Sequence, residues 1–522
     1  MAKPANTTTI ARAATLVMVF FAASRALGLA RDVVIASQFG TNPDYEAYLA
    51  AFRLPDLLFN VVSGGALGSA FIPTFTGYLA RRDQAGAWRL ASAIINWVLL
   101  MLVALGLLAG LFAPQLVRTV IAPGFADPAQ QALAAALMRW LMVSTVVFGV
   151  SGLLMGILNA HQHFLLPALA PVVYNLAIIG GAWFLGPRWG VFGLAAGVVL
   201  GALGHLAVQL PGVVRYGMRF QWLLAPGDPG VRQVARLMGP RVLGLAAVQL
   251  NFVWDTILAS GLSSGSLAGL DYGRRLMLLP QGIIAQAVAA AAFPTFSALA
   301  AQKKWDELQH ALTVTLRSIL YITVPATIGL MLLAGPVVRL LYQRNAFDQA
   351  STRAVMWSLW FYTLGLVAHS MVEILTRAFY ALHNTKTPVL VGVVSMGVNM
   401  LLSLLLLNLF AGLALAPHGG IALASSLAVG LEMVWLAAAL RRQPGGLSVR
   451  GLGRPLARIA FSGVVMAGAL GLFLRVWGAA SPWVIAPGGI ALGGAVYGAV
   501  SFALGAEEPA LVWQTLRRRA AR

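Results

Sequence analysis

Three charged side chains stand inside one long apolar run near the start of the chain. The segment Ser24-Arg25-Ala26-Leu27-Gly28-Leu29-Ala30-Arg31-Asp32 otherwise has the composition of a membrane-spanning helix. An arginine or aspartate near the centre of a bilayer costs roughly 2.5 to 3.5 kcal/mol, so such residues usually face a protein interior or a watery cavity. At about 100° per residue, Arg25 and Asp32 fall on one helix face, and Ser24 and Arg31 share another stripe. We therefore expect this segment to line a functional cavity.

Two further groups of charges occur in apolar runs at helical spacing. Arg53 and Asp56 are one turn apart, and Asp271 is followed by Arg274 and Arg275 at i+3 and i+4. Guanidinium stays charged and forms planar, bidentate hydrogen bonds to phosphate, whereas ammonium acts more as a point charge. Any one of these charges could instead reach the headgroups or close a structural ion pair. Arginines of three apolar runs predict a phosphate or diphosphate site, and every base assigned to an apolar run is an arginine. These bases are Arg25, Arg31, Arg53, Arg139, Arg241, Arg274, Arg275, Arg317 and Arg377.

These charges belong to a chain whose composition indicates a membrane protein. Of its 522 residues, 59% are hydrophobic and 10% are charged, and the mean hydropathy is +0.81. The apolar runs are long enough to cross a bilayer as helices and lack the short alternation of an outer-membrane barrel. The predicted fold class is an all-α integral membrane protein with about fourteen transmembrane helices. The runs lie near 13–38, 46–79, 88–113, 131–159, 164–186, 190–214, 232–262, 269–300, 308–333, 352–383, 386–412, 418–441, 453–477 and 482–505.

Positive charge is distributed unevenly between the two sides of the predicted membrane. The net charge is +20, and the tail and loops on the side of the N-terminus hold 21 Lys and Arg, against 6 on the other side. This asymmetry follows the positive-inside rule and places both termini in the cytoplasm, as an even number of spans requires. We therefore assign the basicity to topology and to attraction for membrane lipids, and we expect no nucleic-acid partner.

The chain also contains an internal repeat. Residues 71–76 (FIPTFT) recur as 292–297 (AFPTFS), and the turn before Pro167 resembles the turn before Pro388, both at an offset of 221 residues. Residues 25–30 (RALGLA) recur as 241–246 (RVLGLA) at an offset of 216, which implies a five-residue length difference between the halves. The repeat predicts two parallel six-helix lobes, 1–220 and 221–441, then a helix pair with a basic cytoplasmic tail, 442–522. In transporters of this design the substrate path lies between the repeats.

Motifs for several enzymatic reactions are absent from the sequence. It contains no Gly-Lys dipeptide of a P-loop and no Asp-x-Asp pair or large loop suited to a metal-dependent glycosyltransferase. We therefore expect a secondary-type transporter with no cofactor, and not an enzyme. Asp255 and Asn399 supply oxygen ligands that could hold a small cation, although hydrogen bonds between packed helices are the commoner explanation. A polyprenyl-phosphate enzyme and an envelope-assembly scaffold are the alternatives from other classes.

Six motifs, in chain order, resemble those of the MurJ (MviN) lipid II flippase family, which belongs with the multidrug MATE transporters in the MOP exporter superfamily. The motifs are residues 24–32 (SRALGLARD), 51–58 (AFRLPDLL), 70–73 (AFIP), 122–127 (APGFAD), 275–282 (RLMLLPQG) and 386–388 (KTP). The resemblance covers about residues 10 to 440. It implies fourteen spans, a cationic central cavity, and a last helix pair that forms a groove for an undecaprenyl tail.

The resemblance also implies roles for individual residues. Arg25, Arg31, Asp32 and Arg275 match the family's essential cavity residues, which would bind pyrophosphate or gate the site. Glu46 stands where the family usually has Asp, and we include it with Asp56 as a gating candidate. Asp255 and Asn399 fall near a sodium site proposed for some members, with Ser403 as a further ligand. Na⁺ is therefore a candidate coupling ion.

One departure from the family pattern concerns the cavity charges. Where the family commonly has Arg-Arg and then Ala-Glu-Gly, this chain has Phe59-Asn60 and Ser63-Gly64-Gly65. A usual arginine and glutamate are therefore missing. Arg274 occupies a position where an acid is common, and we hypothesise that it partly restores the positive charge.

These observations predict a flippase that moves lipid II, the undecaprenyl-pyrophosphate-linked peptidoglycan precursor, across the bacterial cytoplasmic membrane by alternating access. We expect a monomer, with lipid II and membrane lipids as ligands and the cell-wall synthesis machinery as a candidate partner. The alternative within transport is an exporter of another isoprenoid-linked sugar or a MATE-like exporter of small molecules. A cationic-drug exporter would favour acids in its cavity, whereas this chain has an excess of arginine.

Overall fold

A computed structural model describes residues 7–62, 65–447 and 453–506, which are helical and include no β-strand. Short π-helical turns cover Val117–Ile121 and Gly181–Leu185. The helices are α1 (Thr7–Phe39), α2 (Pro43–Val62), α3 (Gly65–Ala80), α4 (Gln84–Leu111), α5 (Ala113–Leu116), α6 (Pro128–Ala160), α7 (Leu165–Gly180), α8 (Gly186–Trp189), α9 (Val191–Arg215), α10 (Pro229–Ser260), α11 (Ser266–Ala301), α12 (Trp305–Leu332), α13 (Ala334–Tyr342), α14 (Gln349–Leu364), α15 (Leu366–Ala381), α16 (Lys386–Gly412), α17 (His418–Leu440), α18 (Gly453–Trp477) and α19 (Pro482–Ala503).

Several of the loop acids fix where helices begin. Asp127, Asp228 and Asp348 are N-cap residues whose carboxylates accept backbone N–H groups of the first turn of α6, α10 and α14. Proline follows the cap in α6 and α10, where its missing N–H costs nothing. Asp83 caps α4 in the same way. These caps explain why the sparse acids of the chain concentrate at the ends of apolar runs.

The predicted membrane class is confirmed. Within the described ranges, ten helices are long and apolar enough to cross a membrane, and the bent pair α14 and α15 would be an eleventh span. The remaining predicted spans correspond to α1, to α2 with α3, and to α10, which carry intramembrane charges or are interrupted. The predicted runs 386–412 and 453–477 coincide with α16 and α18. The total of fourteen stays a prediction.

The run predicted as one span at 352–383 is bent by 44° at Gly365. Ser426 of α17 donates its hydroxyl to the carbonyl oxygens of Phe361 at 2.6 Å and Tyr362 at 3.3 Å, so it satisfies acceptors at the bend. A Cβ atom at position 365 would lie 2.8 Å from the Ser426 hydroxyl oxygen. Glycine is therefore required by the close approach of α17.

The described residues form two compact units. Within the described ranges, unit 1 comprises the residues up to 267 together with 344–347, and its apolar core contains side chains of α3, α4, α6, α9 and α10. Unit 2 comprises 268–343 and the described residues from 348 onward, and its core contains side chains of α11, α12 and α15 to α17. In unit 2, α18 and α19 pack on each other and on α12, where the Tyr321 and Tyr497 rings are 5.0 Å apart. The contacts thus group α10 with unit 1, whereas the sequence repeat places it in the second half; the predicted lobe boundaries remain a prediction.

Residues 344–347 join unit 1 through the end of α1. The backbone N–H of Ala346 donates to the carbonyl oxygen of Ser37 at 3.1 Å, and the Phe347 side chain is buried. Gly40 has a φ of 56°, and a Cβ there would collide with the Ala346 carbonyl. This segment is therefore docked tightly against the α1–α2 turn.

Helix boundaries repeat at an interval of 221 residues. Helices α4 and α12 begin 221 residues apart and end 221 residues apart, and the same interval relates the ends of α3 and α11, the starts of α6 and α14, and the starts of α7 and α16. Helices α1 and α10 also end 221 residues apart. The match of residues 25–30 to 241–246 is therefore wrong as an alignment of equivalent positions, because Arg25 and Arg241 lie at different distances from the ends of their helices.

The basic segment Arg232–Arg241 is continuous with a long helix. The structure makes it the first turns of α10. Residues 216–228, which include Pro226 and Gly227, form the non-helical stretch between α9 and α10. The basic tail after residue 506, with Arg517 to Arg519 and Arg522, lies outside the described residues, as do Ser63 and Gly64.

Candidate functional site: arginine clusters on membrane helices

The charged segment of α1 forms a hydrogen-bonded cluster with α7 in unit 1. Arg31 donates to the Asp32 carboxylate from Nε at 3.1 Å and from Nη2 at 2.9 Å, and Nη1 donates to Asn175 Oδ1 at 3.2 Å. Asn175 is buried, and its Nδ2 bonds the Pro171 carbonyl at 2.9 Å and the Ser24 carbonyl at 3.5 Å. Asp32 therefore forms an ion pair with Arg31 of its own helix, and Asn175 is a site residue that the sequence did not reveal.

Arg31 remains accessible despite these contacts. Its side chain is 22% exposed, and three of its five N–H donors are used in the described contacts. Arg25 is exposed on the same helix, and Ser24 is half-buried. The carboxylate of Asp32 offsets one of the two positive charges of Arg25 and Arg31. The α1 segment therefore keeps a net positive charge that can attract an anion.

Arg53 and Asp56 bind α10 within unit 1. Arg53 Nε donates to Thr256 Oγ1 at 2.7 Å, and Thr256 is fully buried. Asp56 accepts from Asn60 Nδ2 at 2.9 Å and from Gln249 Nε2 at 3.3 Å. The sequence identified the two charges but not these partners. The hydrogen bonds of Arg53 and Asp56 therefore connect α2 to α10.

Glu46 is buried at the start of α2. Its Oε1 accepts the backbone N–H of Leu267 at 2.8 Å, and this N–H belongs to the first turn of α11, where it has no intrahelical acceptor. Glu46 thus satisfies an orphan donor at a helix N-terminus, where negative charge is also favoured by the helix dipole. The structure gives this gating candidate a defined helix-capping contact.

The second arginine cluster lies at the start of α11 in unit 2. Asp271 is 4% exposed and accepts from Arg275 Nε at 2.6 Å, and Arg274 Nη2 lies 3.7 Å from its other carboxylate oxygen. One carboxylate therefore faces two guanidinium groups, as the i, i+3, i+4 spacing predicted. The cluster keeps a net charge of about +1, and Arg275 is the more exposed of the two arginines.

The candidate sodium ligands belong to two different helices. Asp255 is half-buried on α10 of unit 1, and Asn399 and Ser403 are buried on α16 of unit 2, with Ser403 Oγ 3.5 Å from Asn399 Oδ1. Among the described residues, no group of three or more His, Asp or Glu side chains converges as a metal site would. The sodium site therefore stays a proposal.

Phe59 takes part in an aromatic cluster in unit 1. Its ring lies 5.4 Å from that of Phe148, which in turn makes edge contacts with Tyr174 at 4.9 Å and His205 at 5.2 Å. Where the sequence resemblance leads one to expect a cavity arginine, this chain therefore has an apolar side chain committed to packing. Gly64, at the other missing charge, lies outside the described residues.

Comparisons with known proteins agree with this fold. The family model described as "Lipid II flippase MurJ" matches residues 35–487. A "Probable lipid II flippase MurJ" of Rhizobium tropici is 31% identical over 526 aligned residues, covering 95% of this chain and 94% of the relative. A solved structure of "Lipid II flippase MurJ, inward closed conformation" has a TM-score of 0.78 and 26% identity, covering 93% of this chain and 98% of that one.

A more distant match concerns the fold alone. An inward-facing MATE family multidrug resistance transporter of the MOP superfamily has a TM-score of 0.65 and 16% identity, covering 80% of this chain and 94% of that one. The fold and the arginine clusters on charged helices define an all-helical, multi-pass membrane transporter. The chain belongs to the MurJ family.

Proposed function

We propose that this chain moves lipid II from the cytoplasmic to the outer leaflet of the bacterial inner membrane. The observation that carries the proposal is the pair of arginine clusters, Arg31–Asp32–Asn175 and Asp271–Arg274–Arg275, on membrane helices of a MurJ family member. Relatives named lipid II flippase match most of the chain. A pyrophosphate is the part of lipid II that guanidinium groups recognise best.

The clusters are suited to bind and then release an anion. Arg31 and Arg275 are already oriented by hydrogen bonds to an amide and a carboxylate, so binding does not require ordering a free side chain. The acidic partner lowers the net charge of each cluster and therefore limits the affinity, because an anion must compete with Asp32 or Asp271 for N–H donors. A transporter needs such moderate affinity, since substrate bound too tightly would not leave.

Transport by alternating access requires that the ligand bind two states with different affinities. We propose that the membrane potential or an ion gradient drives the cycle, because one charge crossing 100 mV is worth about 2.3 kcal/mol.

Na⁺ is the candidate ion, with Asp255, Asn399 and Ser403 as ligands. Replacing Na⁺ by choline at constant potential should slow transport by the wild type and leave Asp255→Asn unaffected; equal slowing of both would remove Asp255 from the sodium proposal.

We also propose that both termini are cytoplasmic, on the basis of the charge asymmetry. Fusions of a reporter that is active only in the cytoplasm, made at each end of the chain, would test this orientation. A monomer with the cell-wall synthesis machinery as partner is the expected assembly, and crosslinking in cells would test it.

The substrate is tested by complementation together with a direct assay. The wild-type chain should restore growth to cells depleted of their own lipid II flippase, and Arg25→Ala, expressed to the same level, should not. In reconstituted vesicles, the wild type should expose fluorescent lipid II to an impermeant headgroup-modifying reagent faster than Arg31→Ala does. Transport of another isoprenoid-linked sugar but not of lipid II, by a well-folded wild type, would support the alternative substrate.

A further inference from the structure

The loop that joins α9 to α10 is bound along the side of α4. Gln221 donates its backbone N–H to Ser92 Oγ at 3.2 Å, and Asn96 Nδ2 donates to the carbonyl oxygens of Gln221 at 2.8 Å and Leu223 at 2.9 Å. Trp97 Nε1 donates to the Leu224 carbonyl at 2.8 Å. We call residues 219–226 the strap. Side chains of α4 thus satisfy backbone groups that would be costly to leave unpaired next to lipid.

A groove of about 640 Å³ lies between the strap and α4. Its α4 side is formed by Leu99, Leu100 and Val103, and its other side by residues 222–226. The polar lining group, the Asn96 amide, donates to the strap. An apolar groove does not hold ordered water, and an empty one forfeits dispersion contacts. Hydrocarbon is therefore the filling that suits it.

Aromatic side chains place the groove near a membrane interface. Trp222 is 80% exposed, and its ring lies 5.0 Å from that of Phe220 in an edge-to-face contact. Tryptophan is enriched where the headgroups meet the acyl chains, because its ring is apolar and its N–H is polar. An acyl chain of a lipid whose headgroup lies beside the strap would then extend into the groove.

Positive charge is present at the strap and beside its end. Arg232 Nε donates to the carbonyl oxygen of Pro226, a groove-lining residue, at 3.1 Å, and Arg219 is exposed at the start of the strap. The nearby acid, Asp228, accepts the backbone N–H groups of Gly230 and Val231 as the N-cap of α10. The groove therefore joins an apolar channel to exposed guanidinium groups, which suit a phosphate.

We propose that this groove binds an anionic membrane phospholipid, with an acyl chain against Leu99, Leu100 and Val103 and the phosphate at Arg219 and Arg232. Transfer of an acyl chain from the bilayer into an apolar groove gains little by itself, because lipid tails are as apolar as leucine. Selectivity must therefore come from the headgroup. Each basic residue contributes about 1 kcal/mol to the free energy of binding an anionic headgroup. This site is independent of lipid II transport.

The test is photo-crosslinking of the full-length chain in phosphatidylethanolamine vesicles that contain traces of phosphatidylglycerol with a diazirine in one acyl chain. Labelled peptides should include residues 99–103 and 222–226. Unlabelled phosphatidylglycerol should reduce this labelling at about tenfold lower concentration than added phosphatidylcholine does. Equal competition by the two lipids would overturn the headgroup assignment.

Variants with matched controls separate the groove from the bulk lipid surface. Leu100→Trp fills the groove and should abolish labelling of both peptides. Leu107→Trp is the control, because Leu107 lies on the exposed surface of α4 two turns further on. This control variant should leave labelling of residues 222–226 intact. Arg232→Gln should remove most of the preference for phosphatidylglycerol, whereas Arg236→Gln, exposed one turn later, should not. If Leu100→Trp loses its monodisperse elution, Val103→Phe is the second filling variant.

Two further results would overturn the proposal. Labelling that persists in a folded groove-filling variant would place the lipid elsewhere. Undecaprenyl phosphate that competes better than phosphatidylglycerol would assign the groove to an isoprenoid chain. Because the readout is labelling and not transport, failure of the lipid II proposal would leave these results unchanged.

Discussion

The carboxylate of Glu46 accepts the backbone N–H of Leu267, the residue 221 positions later in the chain. This separation equals the interval at which the helix boundaries repeat. Glu46 therefore caps the helix that is the repeat counterpart of its own. A charge that the sequence marked as a replacement for aspartate and as a gating candidate thus caps a buried helix N-terminus.

Removing this cap should destabilise the protein. Glu46→Ala leaves the Leu267 N–H buried without its acceptor, at a cost of about 1 to 3 kcal/mol, while Glu46→Gln keeps an acceptor oxygen and should lose less. Thermal unfolding of the detergent-solubilised chain measures the difference. Asp44→Ala, in the same turn but exposed, is the control, and equal stability of Glu46→Ala and Asp44→Ala would contradict the capping role.

The sequence predicted the architecture well because a bilayer imposes strong rules on composition. The ends of α16 and α18 follow from run length and charge, and the 221-residue interval was visible in short motifs. The sequence could not reveal Asn175 or Thr256, because a single neutral polar residue in an apolar run has no distinguishing spacing. Nor could it show that Phe59 packs on Phe148, which depends on how α2 and α6 meet. The error in the repeat at Arg25 arose because six similar residues are too few to fix an alignment within a long helix.

Asn175 should matter for transport because it orients Arg31. Asn175→Ala removes the acceptor of Arg31 Nη1 and should lower the rate of lipid II exposure roughly fivefold, the equivalent of about 1 kcal/mol. Asn175→Asp adds a carboxylate that competes with the substrate for Arg31 and should lower the rate further. The vesicle assay measures both variants. Asn408→Ala, which removes an exposed amide of α16, is the control, and a rate for Asn175→Ala equal to that control would rule out the orienting role.

Arg275 and Arg274 should contribute unequally to transport. Arg275 is held by Asp271 at 2.6 Å and is the more exposed, so Arg275→Ala should reduce lipid II transport by about tenfold or more. Arg274→Ala should give a smaller but measurable loss if this arginine replaces a family charge missing at Phe59 or Gly64. Full activity of Arg274→Ala would reject that compensation. Arg377→Ala, which breaks the Glu373–Arg377 ion pair of α15, controls for loss of an intramembrane pair.

His161 should make stability fall with pH below neutrality. Its ring lies in the turn after α6, stacked on Tyr216 at 4.4 Å and close to Trp88 at 6.1 Å, and burial lowers its pKa below the usual 6.5. Between the lowered folded pKa and 6.5, the unfolded chain binds more protons, so protonation favours unfolding as pH falls through this window. Above it, both states are neutral and the full stability is present.

His161→Gln should therefore lose part of the stability difference that the wild type shows between pH 7.5 and pH 5.5. Thermal unfolding at the two pH values measures this, and His383→Gln, at an exposed turn after α15, should keep the wild-type pH dependence. The opposing force is cation–π attraction, since a protonated imidazole between Trp88 and Tyr216 would be stabilised by their rings. If the wild type is more stable at pH 5.5 and His161→Gln removes that gain, attraction to the rings outweighs burial and the predicted sign is wrong.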